Sequence, residues 1–294
     1  MQFSRDVASV VFQYLYYEKN FVALCATNDA QALKKWVAPI FKNKDILKSC
    51  FQEACKKGHV YAARFLSRFL TVDDMREENN FAFACYYGHI EIVRLLSRFL
   101  TVNDMRKKNN TIFRNACYTG HIGIVKLLSH FLTVDDMRAE NNEAFRNACY
   151  AGHIEIVELL SRFLTVDDDM RAENNWAFRW ACLKGYTAIV KILSRFLTVD
   201  DMRANDNEAF KSACYHGHIA IVEILCQFLT VDDMRAENNA AFRKACFEEH
   251  YQIVELLSRF LTVEDMRANN DEAFNHAVRY RHHDIVHLLA NLKK

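Results

Sequence analysis

At 294 residues and 51% hydrophobic, the chain can bury a large core, and it exceeds the roughly 250 residues at which a single core ordinarily divides. A net charge of +1 argues against a general nucleic-acid binder, and residues 1–59, with nine Lys/Arg against five Asp/Glu, are too mild for a polybasic tail. One Pro and seven Gly leave little for flexible linkers, no run approaches the roughly 18 apolar residues of a membrane span, and ten Cys without a leader fit a reducing compartment.

The first stretch, MQFSRDVASVVFQYLYYEKN, has Asp6 ahead of its short apolar run and no small-residue cleavage site, so no secretory leader is expected. Residues 1–20 are read instead as a capping helix for the first repeat. The next segment, FVALCATNDAQALKKWV, opens that repeat. Its Asn28-Asp29 stands where later units carry Gly58-His59, Gly88-His89, Gly120-His121, Gly152-His153, Gly185-Tyr186, Gly217-His218, Glu249-His250 and Arg281-His282. Successive steps are 30, 30, 32, 32, 33, 32, 32 and 32 residues, which makes nine units. The step to Gly88 is short because FAFACYYGH lacks two residues of TIFRNACYTGH; the long step carries an extra Asp in TVDDDMR. The last unit, about 262–294, loses its Cys and gains charge in HAVRYRHHDIVHLLANLKK, as an exposed final face requires.

Within a unit the spacing is helical. Phe145, Ala148 and Cys149 fall at i, i+3, i+4 on one face of a first helix. Gly152-His153 break it, and a second helix comes next with Ile156, Val157, Leu160 and Phe163 expected on its apolar side. In LTVDDMRAENN the Thr is expected to cap a short turn, the Arg of Asp135/Arg138 to pair locally, and the Asn residues to form a turn or the next N-cap. Helices of about ten residues are marginal alone, so stacked pairs must supply one another's core.

EAFRNACYAGHIEIVELL resembles the ankyrin-repeat pattern TPLHxAAxxGHxxIVxxLL over about residues 21–294. The Gly-His turn and Ile-Val are kept, and Ala-Cys replaces Ala-Ala. EAFR replaces TPLH, so the family's Thr-Pro helix start and its histidine hydrogen-bond network are expected to be missing. The glycine that opens the family's β-hairpin finger is also missing. The resemblance, so modified, implies an all-α ankyrin-type helical-repeat solenoid of about nine units, with fingers as short helical turns. The AENNxAFRxAC style is similar to ankyrin proteins of giant viruses and of bacteria living inside host cells. That implies an effector acting in the cytoplasm, the host's if the protein is secreted or viral.

The recurring Cys-x-x-Gly-His pairs, such as Cys149/His153, have donor types suited to zinc or to a Cys–His nucleophile. A site copied in every layer is, however, core plus turn. The acidic pairs Asp73-Asp74 and Asp135-Asp136 and the triplet Asp167-Asp168-Asp169 lack EF-hand spacing. No catalytic residue, metal or cofactor is assigned. SRDVASVVFQYL faintly resembles an F-box helix, which keeps open a ubiquitin-ligase adaptor as the alternative reading. The residues that vary after Ala-Cys form an aromatic column, Tyr86, Tyr118, Tyr150, Tyr215 and Phe247, with Tyr87, Lys184 and His216 beside it. The resemblance places these positions on the concave groove. Phe81 is read as varying in the same way, and Trp176 and Trp180 occur in one unit only, at i and i+4. Tyr and Trp anchor interfaces because they bury much area with few rotors. The expectation is a non-enzymatic monomeric scaffold that holds a protein partner there, with no nucleic acid and no membrane insertion. The competing expectation is that the Tyr rings merely stack layer on layer.

Overall fold

The computed structural model describes residues 44–164 and 170–291. The expected capping helix at 1–20 with its F-box-like stretch, the unit around Asn28-Asp29, and Asp167-Asp168-Asp169 lie outside them. The chain divides into two compact units, Met1–Met137 and Arg138–Lys294. The first holds α1 (Lys44–Lys57), α2 (Val60–Leu66), α3 (Val72–Met75), α4 (Glu78–Tyr86), α5 (Ile90–Leu96), α6 (Val102–Met105), α7 (Lys107–Tyr118), α8 (Ile122–Ser129) and α9 (Val134–Met137). The second holds α10 (Ala139–Ala151), α11 (Ile154–Leu160), α12 (Ala172–Lys184), α13 (Thr187–Leu193), α14 (Val199–Met202), α15 (Ala204–Tyr215) and α16 (Ile219–Leu225). It continues with α17 (Val231–Met234), α18 (Ala236–Phe247), α19 (Tyr251–Leu257), α20 (Val263–Met266), α21 (Ala268–Tyr280) and α22 (His283–Asn291). No strand occurs among the described residues. Among the described residues a layer runs from an inner helix through a tight turn, Gly-His in most layers, to an outer helix, and six four-residue finger helices follow outer helices.

The layers form because each helix has one apolar side. Inner helices contribute Phe113, Ala116 and Cys117 in the first unit and Phe145, Ala148 and Cys149 in the second, all fully buried. Outer helices add an Ile-Val-x-x-Leu set such as Ile156, Val157 and Leu160, and each finger sends in its Met. A buried Phe, Leu or Met contributes about 1.5–3 kcal/mol, so the core comes from the stacking and not from any one short helix. Two sequence expectations change here. Phe163 is 39% exposed, and Leu164 takes the buried place instead. Phe81 is not a varying surface residue. It is 2% exposed, in register with Phe113, and Phe83 takes the varying position. The two missing residues therefore precede Phe81.

The fingers are helical, as expected. Thr71, Thr101, Thr198, Thr230 and Thr262 each close a capping box with the Asp three residues on. A hydroxyl accepting from the Asp N–H and a carboxylate accepting from the Thr N–H satisfy two otherwise orphaned donors, which lets so short a helix persist. The same carboxylates take an Arg from the preceding layer, at 2.8 Å for Arg106–Asp136, 2.8 Å for Arg171–Asp201 and 2.7 Å for Arg203–Asp233. Local pairs such as Arg203–Asp200 also form, at 3.1 Å, but the ladder between layers is the finding that local spacing does not anticipate.

The Asn pair does not cap. Glu140, Asn141 and Asn142 form a left-handed turn, with φ of 57°, 53° and 59°, and the turn recurs at 108–110, 173–175, 205–207, 237–239 and 269–271. L-residues pay about 1–2 kcal/mol each there, least for Asn. The last Asn is buried and puts its amide to use: Asn175 donates to the Asp201 carbonyl at 3.1 Å and Asn207 to that of Asp233 at 3.2 Å, each in the next finger.

Candidate functional site

The inner helix decides what the surface shows. With Phe145, Ala148 and Cys149 turned inward, the next residue is about 100° further round the helix and points out. Tyr86 and Tyr118 are 45% exposed, Tyr150 40% and Tyr215 41%. Phe247, at the same position, is half-buried. The helix then ends at a glycine in the left-handed region, φ 80° at Gly152, where a side chain would be strained.

That glycine has a second reason to be bare. The ring of the next layer's turn residue lies over it: a Cβ on Gly88 would stand 2.6 Å from the His121 ring, and one on Gly152 would stand 3.0 Å from the Tyr186 ring. Each such His also reaches back to the carbonyl that comes after the buried Cys of the preceding layer. His89 Nε2 lies 3.0 Å from the Lys56 oxygen and His121 Nε2 lies 2.9 Å from that of Tyr86. In the second unit His218 meets Leu183 at 3.0 Å and His250 meets Tyr215 at 2.8 Å. A carbonyl only accepts, so Nε2 carries the proton and donates. A histidine network therefore exists, other than the one whose loss the change from TPLH to EAFR implies. It is built from the Gly-His residue and runs between layers.

These contacts account for the recurring Cys and His. The Cys thiols are in the core, where burial raises the Cys55 pKa to about 12 and those of Cys85, Cys149 and Cys182 further still. The His rings have taken backbone partners. The arrangement is a clip between layers.

One layer breaks the pattern. Tyr186 replaces the histidine, and its ring covers Gly152 without supplying the imidazole N–H. The Tyr150 carbonyl receives instead the indole N–H of Trp180, at 3.3 Å. Trp180 thus has a structural task that its sequence position did not disclose. It also lies in a near-parallel stack, with ring centroids 4.7 Å from Tyr150 and 5.4 Å from Trp176, and Lys184 Nζ sits 4.9 Å from its ring. Trp176 and Trp180 are half-buried, and Tyr150 and Lys184 are exposed. The structure brings these four residues into one patch.

The remaining predicted residues fall into separate groups. Tyr86 and Tyr87 meet edge to face at 5.1 Å, and Tyr87 stacks on His89 at 6.3 Å. Tyr215 meets His216 at 4.9 Å, with Lys244 Nζ 5.9 Å from the Tyr215 ring. Phe247 stacks on His276 at 4.2 Å, and His276 on Tyr280 at 4.3 Å. Within the second unit the column rings therefore rest on the next layer's inner-helix side chains: Tyr150 on Trp176 and Trp180, Tyr215 on Lys244, and Phe247 on His276. Sequence reasoning missed Tyr280. Its signal was available, since it shares the register of Tyr87 and His216, two residues before the His of the turn.

Among known proteins, a family model described as "Ankyrin repeats (3 copies)" matches residues 81–172 and 147–233. The chain is also similar to the crystal structure of the human ASB11 ankyrin repeat domain, at 18% identity and a TM-score of 0.49, covering 66% of this chain and 95% of that one. No curated protein matches.

Proposed function

The chain belongs to the ankyrin-repeat family, and from that premise we propose that it is a non-enzymatic scaffold that grips a protein partner on its inner-helix face. Ankyrin repeats are in general protein–protein interaction modules. The observation that carries the reading for this chain is the patch of Tyr150, Trp176, Trp180 and Lys184. Three rings held within 11–21° of parallel form a pre-ordered apolar surface with a cation at its edge. Rings already locked against one another lose little rotamer entropy when a partner covers them, which is what an interface anchor requires. Tyr86, Tyr87, Tyr118, Tyr215, His216 and Phe247 extend the surface as flanking contacts. The mechanism is recognition, with sequestration or masking of the partner as the outcome. The protein acts as a monomer in a cytoplasm, as a host-directed effector. Free thiols at Cys55, Cys85, Cys117, Cys149, Cys182, Cys214, Cys226 and Cys246 support a reducing location.

The test is cross-linking and mass spectrometry in cytoplasmic extract, comparing the intact chain with a Tyr150→Ala/Trp176→Ala/Trp180→Ala variant. Because Trp180 also bonds a backbone carbonyl, a second variant, Trp176→Ala/Lys184→Glu, leaves that bond in place. Both are expected to lose a specific cross-linked partner by tenfold or more, since hot-spot residues contribute about 2 kcal/mol or more each. Undiminished capture by the second variant, with its circular dichroism native, would remove the patch from the interface.

A further inference from the structure

In the first unit α2, α5 and α8 pack side by side in that order. Their inward residues are Ala62, Ala63 and Leu66, then Ile92, Val93 and Leu96, then Ile124, Val125 and Leu128, all buried. On the opposite side, one helical turn apart, stand Arg64 and Arg68, Arg94 and Arg98, Lys126 and His130, all exposed. The result is a grid, two positions wide and three layers long, filled by five permanent cations and one histidine. Glu91 is the one carboxylate on these three helices, and it lies 3.8 Å from Arg94. Arg64, Arg68, Arg98 and Lys126 have no ion pair among the described residues. The adjoining fingers set two exposed carboxylates, Asp73 and Asp135, at the edge of the grid against its five permanent cations. Asp73 lies 3.7 Å from Arg76, Asp136 is engaged by Arg106, and the second finger carries Asn103 where the others have an acid. Phe69 and Phe131, at the end of the first and third layers, are 46% and 38% exposed, and Tyr61 is 58% exposed at the start of the first.

The repeat pattern does not require this. At the same positions the second unit has Glu158 and Arg162, Lys191 and Arg195, Glu223 and Gln227, Glu255 and Arg259, so both signs are mixed there. Its Arg259 is also drawn to Glu255, at 3.8 Å. One sign of charge has been concentrated on one outer face.

We propose that this outer-helix face of the first unit docks on an anionic lipid surface. A line of acidic residues in a polypeptide would satisfy one column of the grid and leave the other idle. A leaflet is a two-dimensional array of negative headgroups and meets both columns together. Exposed Phe and Tyr rings among the cations find a soft interface of the kind aromatic side chains prefer, without needing a matching pocket. Attachment is peripheral, because no described helix is long and apolar enough to cross a membrane. The face is built from outer-helix residues of the first unit and the patch from inner-helix residues of the second, and neither assignment depends on the other.

The experiment is flotation of the full chain with vesicles of phosphatidylcholine containing about 30% phosphatidylserine, against vesicles of phosphatidylcholine alone. Binding is expected to the first only, and to weaken as salt screens the charges. Each cation near such a surface is worth about fivefold in partitioning, so Arg68→Glu/Arg98→Glu/Lys126→Glu should lower it by about 100-fold or more. A matched variant in the second unit, Arg162→Glu/Arg195→Glu/Arg259→Glu, changes the net charge equally and should stay within about fivefold of the parent. Circular dichroism verifies that both are folded. Three results would overturn the proposal: no binding to phosphatidylserine vesicles, equal loss in the two variants, or tighter retention on polyglutamate or duplex DNA than on the vesicles.

Discussion

Trp180 offers the sharpest check on how the layers are held. Its indole N–H donates to the Tyr150 carbonyl at 3.3 Å, where neighbouring layers use the imidazole of a Gly-His histidine at 2.8–3.0 Å. Replacing Trp180 by Phe keeps a ring in the stack with Tyr150 and Trp176 but leaves the carbonyl without that donor. A net hydrogen bond is worth about 0.5–1.5 kcal/mol, and the length here points to the lower half of that range. Losing part of the ring area and weakening the Lys184 contact adds about 0.5–1 kcal/mol. Trp180→Phe should therefore destabilise the protein by about 1–2 kcal/mol. Tyr186→Phe, which deletes only the phenol hydroxyl, should cost well under 1 kcal/mol, because that hydroxyl makes no bond to the carbonyl. Tyr186→His restores the donor used elsewhere, so Trp180→Phe made in that background should cost less by about 0.5–1 kcal/mol. The measurement is urea unfolding followed by far-UV circular dichroism, which does not depend on the altered indole, with slopes compared across the four members of the cycle. A cost for Trp180→Phe that is the same whether residue 186 is Tyr or His would refute the substitution of one donor for the other.

The same clips and capping boxes set two further outcomes. Gly88→Ala places a Cβ 2.6 Å from the His121 ring at φ +82°, so it should lower stability by several kcal/mol, while Gly123→Ala, in α8 with nothing nearer than 4.0 Å, should raise it by about 0.5–1 kcal/mol; thermal melts separate the two, and a mild Gly88→Ala would contradict the packing of the turn. For Asp136, Asp201, Asp233 and Asp265, burial alone would raise the pKa, but hydrogen bonds from Thr and Arg outweigh it and hold each carboxyl below its usual value. A folded-state pKa below the unfolded one means stability that is present above about pH 4 and lost as pH falls through the folded values, so the urea midpoint should drop as pH is lowered below about 4. Asp201→Asn/Asp233→Asn should flatten that drop, and a profile as steep as the parent's would show that other groups cause it.

Periodicity alone was enough to reveal the helix pairs, the Gly-His turns and the capped TVDDM fingers. Each rests on interactions within a few residues: an apolar spacing of three and four, a glycine at positive φ, a Thr with an Asp three places on. Most of the candidate surface was legible for the same reason, because the residue after a buried Ala-Cys must point away from the core. What local spacing could not settle was anything whose partner lies about thirty residues away. Arg203 has Asp200 within reach along the chain, yet the Asp233 carboxylate is closer only because the layers stack. FAFAC offers two Phe for one core slot, and the choice of Phe81 is made by the layer packed against it. The turn at 173–175 runs left-handed with its buried Asn175 held by the Asp201 carbonyl, and Trp180 is tied to the core because Tyr186 left a carbonyl unserved. Tertiary structure decided these because stacking brings together groups that the chain itself keeps a full repeat apart.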